Sequence, residues 1–572
     1  LSATILTTAE IVAVFRKNKE ILAQTTRELG ISKHTLTRIL VAAGALTQEK
    51  IQARTKGGGP KARQVVVTER PQFSASVDVS SQTASVAQIV AETLRSLGLI
   101  AEPPKPAPTI VAAPAITPQS RTLIFTAWEV RVKPDPAFVD CLRQMAHQYG
   151  AELYIVPVWP EDIKYLPKNL SDFRLVTGDF TINENLRFQY VPTHAMVQSP
   201  VEGWKGVFDE SRIIPGLVRD LLTVPSQHLC KQVMSTGSIG RLNADLVDYS
   251  HLESDDAAKK AFTRRWAQVQ DRRGGKAYAL AQQFTVPSAL VVELLDHKTF
   301  TTRYVSMQND GQDFLYDVNL RFTAGQQNPT PARPAALVTG DWHVWEKDEQ
   351  ATTATYEQIS ALNPAEVVVN DYFDGASCNR HTTGQPGYFA AQPAINVEAA
   401  RTVAELMKLC NQAAAVTYLQ SNHDDFLPAY LDKPEQWRLN NNYRTCLSLE
   451  AERIQTGRHP IDLLLGLSDF PNLRFIADKY SHYVAGTLVK HGHESINGAR
   501  SNFKGMAKIY GRYVQGHTHS PAVFRNAANV GTLSILDPHY KRGASGWLHC
   551  NAVIQPDGSV QLLPIISGRW RL

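Results

Sequence analysis

Five apolar runs, in chain order from residue 335, each lead into residue types able to ligate metals, and no other feature limits the possible folds as sharply. Ala335–Thr339 leads to Gly340-Asp341-Trp342-His343, and Glu366–Val369 to Asn370-Asp371-Tyr372-Phe373-Asp374. Ala413–Leu419 leads to Ser421-Asn422-His423-Asp424, Gly486–Lys490 to His491-Gly492-His493-Glu494, and Tyr510–Val514 to Gly516-His517-Thr518-His519. Short apolar runs of this kind read as buried strands. Side chains at the C-terminal ends of successive strands meet along one edge of a sheet, so five such ends can build a single site. The donors are Asp, His and Asn without a thiolate. That set suits a pair of borderline divalent ions, manganese first and iron or zinc as alternatives, better than magnesium or calcium. Two ions roughly 3.5–4 Å apart need a bridging carboxylate and can activate a water between them. A single Asp-x-His or Gly-His-x-His motif occurs often by chance. Five in order, each behind an apolar run, do not read as chance.

The order Asp-x-His, Asp-x-x-Asp, Asn-His-Asp, His-Gly, Gly-His-x-His resembles the signature of the calcineurin-like metallophosphoesterases, including their nuclease branch. The resemblance covers residues 335–572 and implies a four-layer α/β-sandwich domain there. It assigns Asp341, His343 and His519 to a first metal, Asp371 to the bridge, and Asn422, His491 and His517 to a second. It makes a metal-bridging hydroxide the nucleophile, His423 the general acid, Asp424 the residue that orients it, and Asp374 a residue behind the ligands. His493 would replace His491 if the register of the fourth motif shifted. One departure is visible: Asn370 stands where the family has Gly before the second-motif Asp. The later stretches Gly531-Thr532-Leu533, Tyr540–Gly543 and Gly546-Trp547 are similar to phage-encoded members of the family, host-DNA-degrading nucleases among them.

The rest of the chain is read from pattern. Residues 1–63 carry eleven Lys/Arg and four Asp/Glu, a net of +7 against +5 for the whole chain, so the remainder is close to −2. A basic module on a near-neutral body points to an anionic partner. Within it, Thr7 and Glu10 have capping-box spacing, and an "ELGIS" turn precedes a second helix with Ser32 at its N-cap. That is the pattern of a helix-turn-helix, an all-α module presenting Lys33, His34, Thr35, Thr37 and Arg38 to DNA. A small helical docking module has the same pattern. Residues 64–120 read as linker, with six prolines between 101 and 119 and one amphipathic stretch at Val86, Ile89, Val90, Leu94 and Leu97. A lone helix cannot bury that stripe, so it docks on the body or self-associates, and a homo-oligomer is expected. Residues 121–330 read as a central α/β domain of undisclosed role. Val233–Gly240 has glycines but no Lys-Ser/Thr, which argues against a phosphate-binding loop.

The six cysteines are scattered without a CxxC pair, which fits reduced thiols. Without an apolar run of membrane-spanning length or a signal-peptide pattern, the expectation is a cytoplasmic protein (host cytoplasm if phage-encoded). The leading functional expectation is a two-metal DNA nuclease. A phosphatase or cyclic-nucleotide phosphodiesterase of small substrates, and a non-enzymatic DNA-binding regulator, are the alternatives.

Overall fold

A computed structural model describes residues 90, 121–130, 132–190, 210–226, 230–242, 285–379, 393–496, 501–538 and 543–570. The helix-turn-helix residues Lys33, His34, Thr35, Thr37 and Arg38 lie outside the described residues. Of the amphipathic stripe only Val90 is described; it is buried in the core cluster that also holds Leu337 and Ile359, which seats it on the body.

The described residues form a mixed α/β structure with sheets of two, six, eight and ten strands. The six-stranded sheet runs in the order Leu473–Ile476, Val416–Leu419, Glu366–Asn370, Ala336–Asp341, Cys550–Ile554, Val560–Pro564. Its first four strands are parallel and the last two antiparallel. Parallel strands are covered on both faces, which explains why Ala336–Asp341 is buried along its whole length. Helices Glu349–Leu362 and Ile395–Gln412 supply the crossovers. Because the strands run the same way, their C-terminal ends lie at one edge, and Asp341, Asp371 and the Asn422-His423 turn follow three of them.

The ten-stranded sheet supplies the rest of the site. Thr487–Lys490 pairs parallel with Tyr513–Gln515, so His491 and His517 leave adjacent strands in the same direction. The same sheet crosses the expected boundary near residue 330. Ala522–Phe524 pairs antiparallel with Asp220–Val224, placing Val523 opposite Leu221. One core cluster correspondingly includes Leu123, Leu221, Val514 and Ile554. The eight-stranded sheet is built wholly from residues before 332 and holds a β-α-β unit. Its strands are Arg121–Trp128 and Glu152–Pro157, paired in parallel. The connecting helix Pro136–Tyr149 starts at N-cap Asp135, whose carboxylate accepts from the amides of Ala137 and Phe138. It ends at Gly150 with φ 60°, the left-handed cap that glycine tolerates best.

One expected strand differs. Tyr510 ends helix Phe503–Tyr510, and the strand starts at Tyr513. Residues 314–322 are two strands, Asp313–Asp317 and Leu320–Thr323, divided at Val318 with φ 54°. Among the described residues no helix is long and apolar enough to cross a membrane. All six cysteines are unpaired.

Candidate metal centre

The site forms where strand ends from the two sheets face each other. One ligand atom each from Asp341, His343, Asp371 and His519 lies within 4.8 Å of all the others, and all four residues are buried. His343 Nδ1 donates to Asp374 Oδ1 at 2.9 Å. In the neutral ring a metal ligand requires, that bond puts the proton on Nδ1 and leaves Nε2 as the inward-facing donor atom. Nε2 stands 3.1 Å from His519 Nε2 and 3.5 Å from Asp371 Oδ2. His519 Nε2 also lies 3.1 Å from Asp341 Oδ2. Two imidazoles and two carboxylates thus converge on one point.

A second group, His491, Asn422 and His517, adjoins the first at Asp371 and Asp341. His491 Nε2 is 3.7 Å from Asp371 Oδ2 and 2.9 Å from Asn422 Oδ1. The His517 ring lies 5.1 Å from that of His491, while the His517 amide donates to Asp341 Oδ2 at 2.6 Å. Asp371 Oδ2 is thus shared by His343 and His491, and His491 Nδ1 also lies 3.7 Å from Asp341 Oδ1. In the fourth motif the structure brings His491 to this point; His493 turns away to Asp478, with Nε2–Oδ2 of 2.8 Å.

The backbone is bent to achieve this. His343 (φ 48°), Asp371 (φ 43°), His517 (φ 71°) and His519 (φ 58°) all adopt the left-handed region. Each such residue costs of order 1–3 kcal/mol, which the surrounding packing must offset. Gly516 has a different constraint. A Cβ there would lie 2.1 Å from Asp341 Oδ1, so glycine lets the final strand turn press against that carboxylate.

The electrostatics are those of a cluster with too few positive charges. Burial, then the neighbouring Asp371, pushes Asp341 up to about 7. Burial opposes a proton on His343, but Asp371, Asp374 and Asp341 outweigh it and push that ring up to about 10. Burial also opposes ionisation of Asp371, but the rings of His423, His343 and His491 hold it well below the usual carboxylate range. Burial pulls His519 down to about 3 and His491 well below its ordinary value. Asp341 Oδ1, Asp371 Oδ1, His491 Nδ1, His519 Nδ1 and His423 Nδ1 are buried without a hydrogen-bond partner. Buried polar atoms rarely stay unsatisfied. Carboxylate oxygens and neutral imidazole nitrogens grouped in this way are donors suited to divalent cations, so the residues present could hold metal.

The expected acid, His423, borders the cluster. Its Nδ1 is 3.9 Å from Asp371 Oδ1, and its side chain keeps 25% of its exposure. Burial lowers its pKa. The expected orienting contact from Asp424 is absent. Asp424 Oδ1 accepts from Tyr418 Oη and Oδ2 from the Ser421 amide, both at 2.8 Å. It thus steadies the turn that carries His423 rather than the imidazole. The acids facing His423 are Asp371 and Asp374, and Asp374 groups with His343 and His423.

Two contributors escaped the sequence reading. Glu398 is fully buried on helix Ile395–Gln412, and its two carboxylate oxygens accept from the amides of Ala376 and Ser377, holding the loop behind Asp374. The Trp547 ring packs edge-on against His519 with centroids 4.3 Å apart. Glu398 gave no signal because it sits at an ordinary helical position. Trp547 stands close to a motif glycine, but its contact requires the fold.

No family model matches the chain. It is 26% identical over 329 residues to Protein A1 of Escherichia phage T5. The chain is therefore related to a phage protein. The match covers 53% of this chain and 57% of the T5 protein, so the chain spans little more than half of the curated relative it matches.

Proposed function

We propose that this chain is a two-metal phosphodiesterase of the calcineurin-like metallophosphoesterase type that hydrolyses DNA. The observation carrying the reading is the convergence of Asp341, His343, Asp371 and His519 within 4.8 Å, with His491 beside Asp371 and Asn422 and His517 beside His491. In this reading Asp341, His343 and His519 hold one divalent ion, and Asn422, His491 and His517 hold the other. Asp371, beside both His343 and His491, would contribute to both, and manganese would be the preferred metal. Such ions polarise phosphoryl oxygens and lower the pKa of water.

The chain's own residues do the rest. Asp374 accepts from His343 Nδ1 and from the Trp345 amide, fixing the ring that presents Nε2. His423 has its Nδ1 buried toward Asp371, which leaves Nε2 to give a proton to the departing oxygen. DNA as substrate is supported by the basic module at residues 1–63 and by the relationship to a phage protein, which also fits action in the host cytoplasm. A tethered basic module raises local substrate concentration without tight binding at the catalytic centre.

The test is cleavage of linear, circular and single-stranded DNA by manganese-loaded protein, wild type against His423→Ala. The expected loss is about 10²–10⁴-fold with metal content unchanged. Hydrolysis of a small phosphoester with every DNA form left intact would refute DNA as the substrate.

A further inference from the structure

A second cavity lies at the other end of the strand that delivers His517. Tyr513–Gln515 runs toward the metal centre, and Arg512 precedes it at the opposite end. There, a cavity of about 360 Å³ opens between the strands after residue 285 and those after 512, and Arg219, Arg241, Arg512 and Arg525 line it.

Among the described residues Arg219 forms no ion pair; the carboxylate whose charge favours it is that of Asp557, which accepts from Ser559 Oγ. Arg219 is only 7% exposed, yet its guanidinium donates to neutral groups, Ser306 Oγ at 3.2 Å and Asn526 Oδ1. Burial disfavours its charge. Arg512 Nη1 donates to the backbone carbonyl of Asp557. Among the described residues no carboxylate pairs with Arg219, Arg241 or Arg512. Two acids do line the cavity, but both are engaged elsewhere. Asp135 caps a helix, and Asp313 accepts from Asn309 Nδ2. A buried guanidinium elsewhere in this chain is treated differently: Arg303 sits between Asp317 and Glu293. Buried charges are normally paired, and arginine forks match phosphate oxygens.

We propose that this cavity binds the phosphoryl group of a small phosphate-bearing molecule. Its volume exceeds what one phosphate needs and lies in the range of small-ligand pockets. The amides of Gln308 and Asn526 and the apolar side chains of Val523 and Val560 border the remaining space, so the occupant carries an organic group as well as the phosphoryl anion. Arg219, with Arg241 and Arg512 beside it, supplies the charge. This inference does not depend on the function proposed above, because the cavity is built from other residues.

The experiment is isothermal titration of the full chain in excess chelator, which removes metal-dependent phosphate binding at the Asp371 cluster. The probes are inorganic phosphate, deoxyadenosine monophosphate and a short single-stranded oligonucleotide. Saturable binding of the nucleotide, weakened roughly tenfold by Arg219→Gln and by Arg241→Gln, supports the proposal. The second variant matters because Arg241 is exposed, so its replacement leaves the core intact even if Arg219→Gln misfolds. Equal affinity for inorganic phosphate overturns the claim that the occupant carries an organic group. Tighter nucleotide binding identifies the organic ester. Binding of neither small probe, binding of the oligonucleotide alone, or binding indifferent to Arg241→Gln overturns the proposal.

Discussion

Replacing Gly516 by alanine adds one methyl group at the most crowded point of the metal centre. Its Cβ would stand 2.1 Å from Asp341 Oδ1, 3.2 Å from Asp341 Cγ and 3.4 Å from Asn370 Cβ. A relaxed carbon–oxygen contact is about 3.3 Å, so the carboxylate or the turn must move by about 1.2 Å. Asp341 has little freedom to do so. It is fully buried, and Oδ2 is held by the His517 amide at 2.6 Å beside His519 Nε2 at 3.1 Å. Ligand sets tolerate about 0.5 Å of displacement, so the expected loss of manganese affinity is at least about 10–100-fold. The stability cost is smaller, about 1–3 kcal/mol, because the change is a single overpacked methyl. Gly516 is not among the positive-φ glycines, so alanine adds no backbone strain and the effect reads the clash alone. Gly178→Ala is the matched control, with no atom near its Cβ and no positive φ. Calorimetric manganese titration of chelator-stripped protein, with thermal melts of all three forms, gives both quantities. A folded Gly516→Ala protein with wild-type manganese affinity would refute the reasoning.

Three further outcomes follow from other parts of the structure. Arg303 is buried between Asp317 (Nε–Oδ1 2.5 Å) and Glu293 (3.1 Å), so Asp317→Asn should cost about 3–5 kcal/mol in a denaturant titration, and an unchanged midpoint would contradict the buried network. Burial, then Asp374, pushes Glu398 from 4.5 up to about 7. A raised acid stabilises the fold below its unfolded value and loses that contribution as pH rises through the folded one. The stability difference between wild type and Glu398→Gln should therefore fall from pH 4.5 to about 7, whereas a flat difference in pH-resolved melts would exclude the shift. Deleting residues 1–63 should weaken DNA affinity and flatten its dependence on salt, because basic side chains release counterions on binding; an unchanged slope would show that the module binds something else.

Much of the site could be read from sequence because each ligand follows a short apolar strand, and strand direction alone places ligands at one edge. Helix Pro136–Tyr149 is marked just as locally, by Asp135 and Pro136 at its start and Gly150 at its end. What escaped depends on distant pairing. Nothing near Val523 indicates that it pairs with Leu221, and the continuous sheet across residue 330 follows from that register. The role expected of Asp424 failed because its turn satisfies the carboxylate locally through Ser421 and Tyr418. Tyr510 continued an apolar run toward Val514, but Phe503, Met506 and Ala507 bury a helical face that carries the chain to Tyr510 first. Arg219 looks like any basic residue until the fold buries it without an ion pair among the described residues.

The central claim is that Asp371 serves two metal ions that act on a phosphodiester. Its most direct test is manganese stoichiometry by elemental analysis, on wild type and Asp371→Asn, paired with DNA cleavage by the same samples. The account predicts two ions per wild-type chain, cleavage abolished by chelator, and loss of both bound metal and cleavage in Asp371→Asn. Two ions retained by Asp371→Asn, or wild-type cleavage that survives complete metal removal, would contradict it.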